Sequence, residues 1–155
     1  MQKIRKEEIN AVCLKHLDNL PLVAVDGLAT LLAKLSAAGI VLGVATNDLE
    51  QAAWSQLKEV GIDQYFDFVA GSDSGYGSKP DPGMVHAFCS AHKLVPAEVA
   101  MVGDSLHDIN AGKNAGTALN VGVLTGPATE QELLAYADIV LQDVAGLDVL
   151  LDKKR

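Results

Sequence analysis

The stretch VAMVGDSLHDINAGKNAG, residues 99–116, decides the fold. Its opening, Val99–Gly103, is apolar or small without alternation, and a run apolar on both faces suits a strand covered by helices on each side of a parallel sheet. Two carboxylates follow, Asp104 at the end of the run and Asp108 four residues on. His107–Ala115 then reads as a helix stopped at Gly116, where glycine readily takes the left-handed conformation that ends helices.

The same grammar extends in both directions. Ile40–Thr46 (IVLGVAT), Phe66–Gly71 (FDFVAG), Leu119–Leu124 (LNVGVL) and Asp138–Leu141 (DIVL) read as further short buried strands. Helical patterns lie between them. Gly27–Ala38 carries leucines at 28, 31, 32 and 35, the spacing of one helix face. Asp48–Val60 opens on an N-cap residue with Gln51 three positions later. Pro82–His92 starts with a first-turn proline. Thr129–Tyr136 begins with the Thr-x-x-Glu capping pattern. Strands alternating with helices predict an α/β domain, a doubly wound, Rossmann-like parallel sheet. Residues 1–20 read as a separate unit, with an amphipathic helix expected at 3–19 and cut off by Leu20-Pro21, and residues 21–155 read as the α/β core.

Composition limits the function. The formal charge is -8, with 20 acidic against 12 basic residues, which disfavours nucleic acid as a partner because that needs a basic face. No apolar run reaches the roughly 18 residues of a membrane span, and the charged N-terminus MQKIRKEEIN has no signal-peptide core. Cys13 and Cys89 lack metal or redox spacing and read as reduced thiols of a cytoplasmic protein. His16, His86, His92 and His107 have no ligand spacing and read as structural or surface residues.

Ligands of doubly wound folds bind beyond the carboxyl ends of the strands. Thr46-Asn47-Asp48 follows the first strand. The loop GSDSGYGSKPDP, residues 71–82, follows the second, and Gly103-Asp104-Ser105-Leu106-His107-Asp108 the third. Singly, Thr46 or Asp104 could start a helix and Lys79 could be a solvated charge. Together they put a hydroxyl, an amide, an ammonium and two carboxylates on one rim.

These segments, GVATND, GSKPDP and MVGDSLHDINAGKNAG, resemble motifs II, III and IV of the haloacid dehalogenase (HAD) superfamily, closest to its phosphoglycolate-phosphatase-like branch, over about Pro21 to Leu151. The resemblance implies a Mg²⁺-dependent phosphomonoester hydrolase working through an aspartyl-phosphate intermediate on a small phosphorylated metabolite. Asp104 would hold Mg²⁺, a hard ion that prefers oxygen ligands, with Asp108 as a second-shell or water-mediated ligand. The Thr46 hydroxyl and the Asn47 N–H would bind the phosphoryl oxygens. Lys79 would stabilise the charge of the transferring group.

One part of the family pattern does not occur in the 155 residues. No Asp-x-Asp-Gly segment, which in the family carries the nucleophile, is present. The nearest stretch is LVAVDGLATLL, residues 22–32, which places Ala24 at the nucleophile position. It reads better as the opening of the helix before Thr46, and less well as a decayed motif I. The resemblance therefore implies an N-terminally incomplete core, with residues 1–20 as the last helix of a helical cap. In the family's strand order the motif I strand lies between the strands ending at Thr46 and at Asp104. Its absence implies two unpaired edges, to be filled by Leu22–Val25, by self-association or by strand exchange. Whether this chain turns over substrate stays open. A remnant that only binds metal and phosphate is the main alternative, and a metal-independent dehalogenase a more distant one.

Overall fold

The computed structural model describes residues 24–152. Residues 1–20, expected as a cap helix, lie outside that range, as do Leu22 and Val23. The elements alternate as the apolar runs predict. They are α1 (Leu28–Ala37), β1 (Gly43–Ala45), α2 (Glu50–Glu59), β2 (Phe68–Ala70), α3 (Gly83–His92), β3 (Ala100–Gly103), α4 (Leu106–Ala115), β4 (Leu119–Val123), α5 (Glu130–Tyr136), β5 (Ile139–Leu141) and α6 (Leu147–Asp152). All strand pairs are parallel.

Helices cover both faces of the sheet layer, because successive strand residues point to opposite sides. Leu28, Leu31, Leu32 and Leu35 of α1 are buried in one core with Leu57 of α2, Val44 of β1, Val102 of β3 and Leu147 of α6. On the opposite face, Met101 of β3 packs with Val85, Phe88 and Cys89 of α3 and Ala115 of α4. Gly43 of β1 makes room for Phe88: a Cβ at Gly43 would lie 2.6 Å from the ring.

The strands do not form one sheet among the described residues. β1 pairs with β2, and β3, β4 and β5 form a second sheet in that order. The edges of β1 and β3 are not joined by a ladder, although Val44 and Val102 share one core. A narrow apolar crevice, with a cavity volume of only about 10 Å³, is lined by Gly43, Ala45, Phe68, Met84 and Phe88 and, from β3, Met101. Ala24 and Val25 belong to no strand. They run into an Asp26-Gly27 turn directly ahead of α1, with Asp26 exposed.

Local details differ from expectation at α2 and α6. Asp48 does not cap α2: its N-cap position is Leu49 and has no side-chain cap. The cap comes from a distant loop, where Asp73 Oδ1 accepts the Glu50 N–H at 2.9 Å. α6 was not anticipated, because LDVLLD is too short to display a helical period. Ser105 and Thr129 cap α4 and α5 through reciprocal bonds with Asp108 and Glu132. No helix among the described residues is long and apolar enough to cross a membrane.

Candidate active site

The sequence-derived residues meet at the carboxyl ends of β1 and β3. Thr46 directly follows β1 and is buried. Its N–H donates to the Ala70 carbonyl at 2.9 Å, which extends the β1–β2 ladder to the rim. Its hydroxyl oxygen accepts the Asp48 N–H at 3.1 Å. That bond fixes the oxygen, while the O–H rotor can still donate outward.

Asn47 is exposed, and its side chain clamps the main chain of Lys79. Oδ1 accepts the Lys79 N–H at 2.8 Å, and Nδ2 donates to the Lys79 carbonyl at 3.0 Å. The loop between β2 and α3 is tied to the start of α2 by further bonds. The Ser72 N–H donates to the Asp48 carbonyl at 2.8 Å. The Ser74 hydroxyl donates to Glu50 Oε2 at 2.6 Å. Left-handed glycines at 75 and 77 let this loop double back, and the Lys79–Pro80 peptide is cis.

From this loop Lys79 reaches across to α4. Its Nζ makes an ion pair with Asp108 Oδ1, and the two side chains are only 9% and 4% exposed. The other carboxylate oxygen of Asp108 accepts from the Asp104 N–H at 3.0 Å, the Ser105 N–H at 3.1 Å and the Ser105 hydroxyl at 2.9 Å. Asp108 thus caps its own helix, holds the turn carrying Asp104 and neutralises Lys79. Gly103 permits this arrangement, since a Cβ there would stand 2.1 Å from Asp108 Cβ. Asn114, one helical turn and more beyond, donates to the Pro80 carbonyl at 3.0 Å.

Asp104 directly follows β3 and has 9% of its surface exposed. Among the described residues no group of three or more His, Cys, Asp or Glu is arranged to hold a metal. The donor set is instead one strand-end carboxylate with a second, hydrogen-bonded one behind it. That suits Mg²⁺, which keeps several waters and is bound through one or two carboxylates plus substrate phosphate. It does not suit ions that need a full protein cage.

Residues 2–121 match the sequence profile of the family described as haloacid dehalogenase-like hydrolase. The chain belongs to that family. It is 39% identical over 115 residues to the pyrophosphatase PpaX of Bacillus velezensis, covering 74% of this chain and 53% of that protein. It is 40% identical over 87 residues to a phosphoglycolate phosphatase of Vibrio vulnificus, covering 56% of this chain and 38% of the relative. The crystal structure of a predicted phosphoglycolate phosphatase from Haemophilus somnus 129pt superposes with a TM-score of 0.74 at 29% identity, over 83% of this chain and 56% of that one. The matched stretch thus spans 53% and 38% of the length of these two curated relatives.

Within the haloacid dehalogenase-like family frame, two contributors at the rim escaped sequence reasoning. The resemblance implies a phosphate-binding role for the Asn47 N–H alone, and the clamp its side-chain amide places on Lys79 has no local signal. Gly126, which packs against Asp104, follows β4, and the rule about strand ends could have flagged it.

Proposed function

We propose that this rim is the phosphoryl- and cation-binding part of a Mg²⁺-dependent phosphomonoesterase acting on a small phosphorylated metabolite. The observation that supports it best is the buried Lys79–Asp108 pair lying against the Asp104 turn, with the Thr46 segment fastened to Lys79 by Asn47. A hydroxyl, an ammonium and a carboxylate thereby hold fixed positions around one strand-end rim.

In this reading the Thr46 hydroxyl and the Asn47 N–H bind phosphoryl oxygens. Lys79 holds a compact positive charge beside them, where preorganised charge is most effective. Asp104 holds Mg²⁺, and Asp108 keeps Asp104 and Lys79 in place. A cation held there would offset the repulsion between an attacking carboxylate and a phosphate dianion. The attack would form an aspartyl phosphate as the ester P–O bond breaks and the alcohol leaves, and water would then release inorganic phosphate and restore the carboxylate. That carboxylate belongs to an Asp-x-Asp-Gly segment that the 155 residues do not contain. The separate edges of β1 and β3 suit a parallel strand bringing that carboxylate, from a longer polypeptide or a second chain. Asp26 is exposed in the turn before α1 and is assigned no part in the chemistry. The 155 residues alone are therefore proposed to bind without turnover.

The test is an assay of the purified chain on an aryl phosphate with Mg²⁺, beside Asp26→Ala, together with inorganic phosphate binding by Lys79→Ala. Phosphate binding that weakens in the lysine variant, without turnover by the chain, is the expected result. Turnover abolished by Asp26→Ala would show that Asp26 has taken over catalysis. Phosphate binding indifferent to Lys79 would remove the rim from consideration.

A further inference from the structure

Gly126 stands in the loop between β4 and α5. It is not one of the glycines with positive φ, so its backbone does not demand glycine. Its side-chain space does, because Asp104 fills it. A Cβ at Gly126 would lie 2.1 Å from both Cγ and Oδ2 of Asp104 and 2.4 Å from its Cβ. Neither partner can withdraw easily. Asp104 is almost fully buried and is held through its own N–H by Asp108. The loop is anchored at its start, where the Leu124 N–H donates to the Leu141 carbonyl at 3.0 Å. It is anchored in its middle, where the Ala128 N–H donates to the Asp104 carbonyl at 3.3 Å. Its end is held by the reciprocal Thr129–Glu132 cap.

From this packing we infer that Gly126 is a positioning residue for Asp104. The β4–α5 loop forms a further wall of the rim, and the missing β-carbon fixes the rotamer in which Asp104 offers its carboxylate to a hard divalent cation. The inference rests on the reading of Asp104 as cation ligand. Groups that orient a metal-binding side chain typically change affinity by about 10–100-fold when altered.

The test measures Mn²⁺ binding by electron paramagnetic resonance for the 155-residue chain and for Gly126→Ala, Asp104→Asn and Gly116→Ala. Gly116 ends α4 with φ 83° and has nothing within 4 Å of its Cβ position, so its variant is strained without touching the rim. Expected are a loss of at least about tenfold for Gly126→Ala, loss of binding for Asp104→Asn, and unchanged affinity for Gly116→Ala despite lower stability. A second measurement needs no metal. In urea unfolding, the destabilisation by Gly126→Ala should largely vanish in an Asp104→Gly background, which removes the atoms it strikes. Should Gly126→Ala fail to fold alone, recovery of folding in that double variant supports the contact, and failure to recover overturns it. Normal Mn²⁺ affinity in Gly126→Ala beside lost affinity in Asp104→Asn overturns the inference while sparing the Asp104 assignment. Unchanged affinity in Asp104→Asn, or no binding by the unaltered chain, overturns both.

Discussion

Asn47 holds the main chain of Lys79 at both of its polar groups, taking its N–H at 2.8 Å and giving to its carbonyl at 3.0 Å. A side-chain amide here does what a neighbouring strand does elsewhere. It joins two rim segments that lie 32 residues apart in sequence. Asn47→Ala should therefore lower stability by about 1–2 kcal/mol, the scale of two solvent-accessible hydrogen bonds. Asn47→Asp, which keeps the acceptor and loses the donor, should fall between. Urea unfolding measures both, and an alanine variant as stable as the parent would contradict the clamp.

Lys79 and Asp108 are both buried. Removing the ammonium alone leaves a carboxylate with no counter-charge in a dry place. Lys79→Ala should cost about 3–5 kcal/mol, the range for breaking one side of a buried pair. In an enzyme that also carries the attacking carboxylate, the same change should lower kcat by at least about 100-fold, the scale for one preorganised group. A loss confined to KM would reduce the lysine to a binding role.

The Glu132 carboxyl is held below its ordinary value, first by the Thr129 backbone N–H and then by the Thr129 hydroxyl. A depressed folded value means that the carboxylate stabilises the fold fully above the unfolded value, near 4.5. The contribution is lost as the pH falls through the lowered folded value. Stability should thus rise with pH across that acidic window, and less steeply in Glu132→Gln. Equal slopes for the two proteins, from urea midpoints at pH 3 to 6 (about the carboxylate range), would count against the cap.

How far the sequence reveals this site depends on the kind of contact. Thr46 and Asp104 could be placed because each directly follows an apolar run, Lys79 because it lies in the loop after one and Asp108 because it opens the helix after another; strand ends of this fold share one rim. The Thr129–Glu132 capping pair is legible because both partners sit within one turn; the Ser105–Asp108 pair has the same spacing, but there the sequence reading offers a carboxylate as the helix start, whereas the N-cap is Ser105. The Asn47–Lys79 clamp, the Asn114–Pro80 bond and the Gly126–Asp104 packing join segments distant in the chain, and no local pattern encodes them. Asp48 illustrates the same limit. Its spacing resembles a cap, but the donor it would have satisfied is taken by Asp73 from another loop. The split into two sheets was implied by the missing strand, whereas the short apolar α6 had no signal at all.

Lys79 leaves a loop of the β1–β2 half and closes its ion pair on α4, which belongs to the half built on β3. One ammonium therefore serves both as a fastener between the halves and as the charge that an incoming anion must recruit. Cohesion and ligand affinity compete for it, so an improvement in one is taken from the other. Asp108→Asn exposes the competition. Without the carboxylate, the chain should unfold at lower urea, yet metal-free inorganic phosphate should bind more tightly, because Asp108 no longer competes for Lys79. If both quantities fell together, the lysine would be a fastener alone.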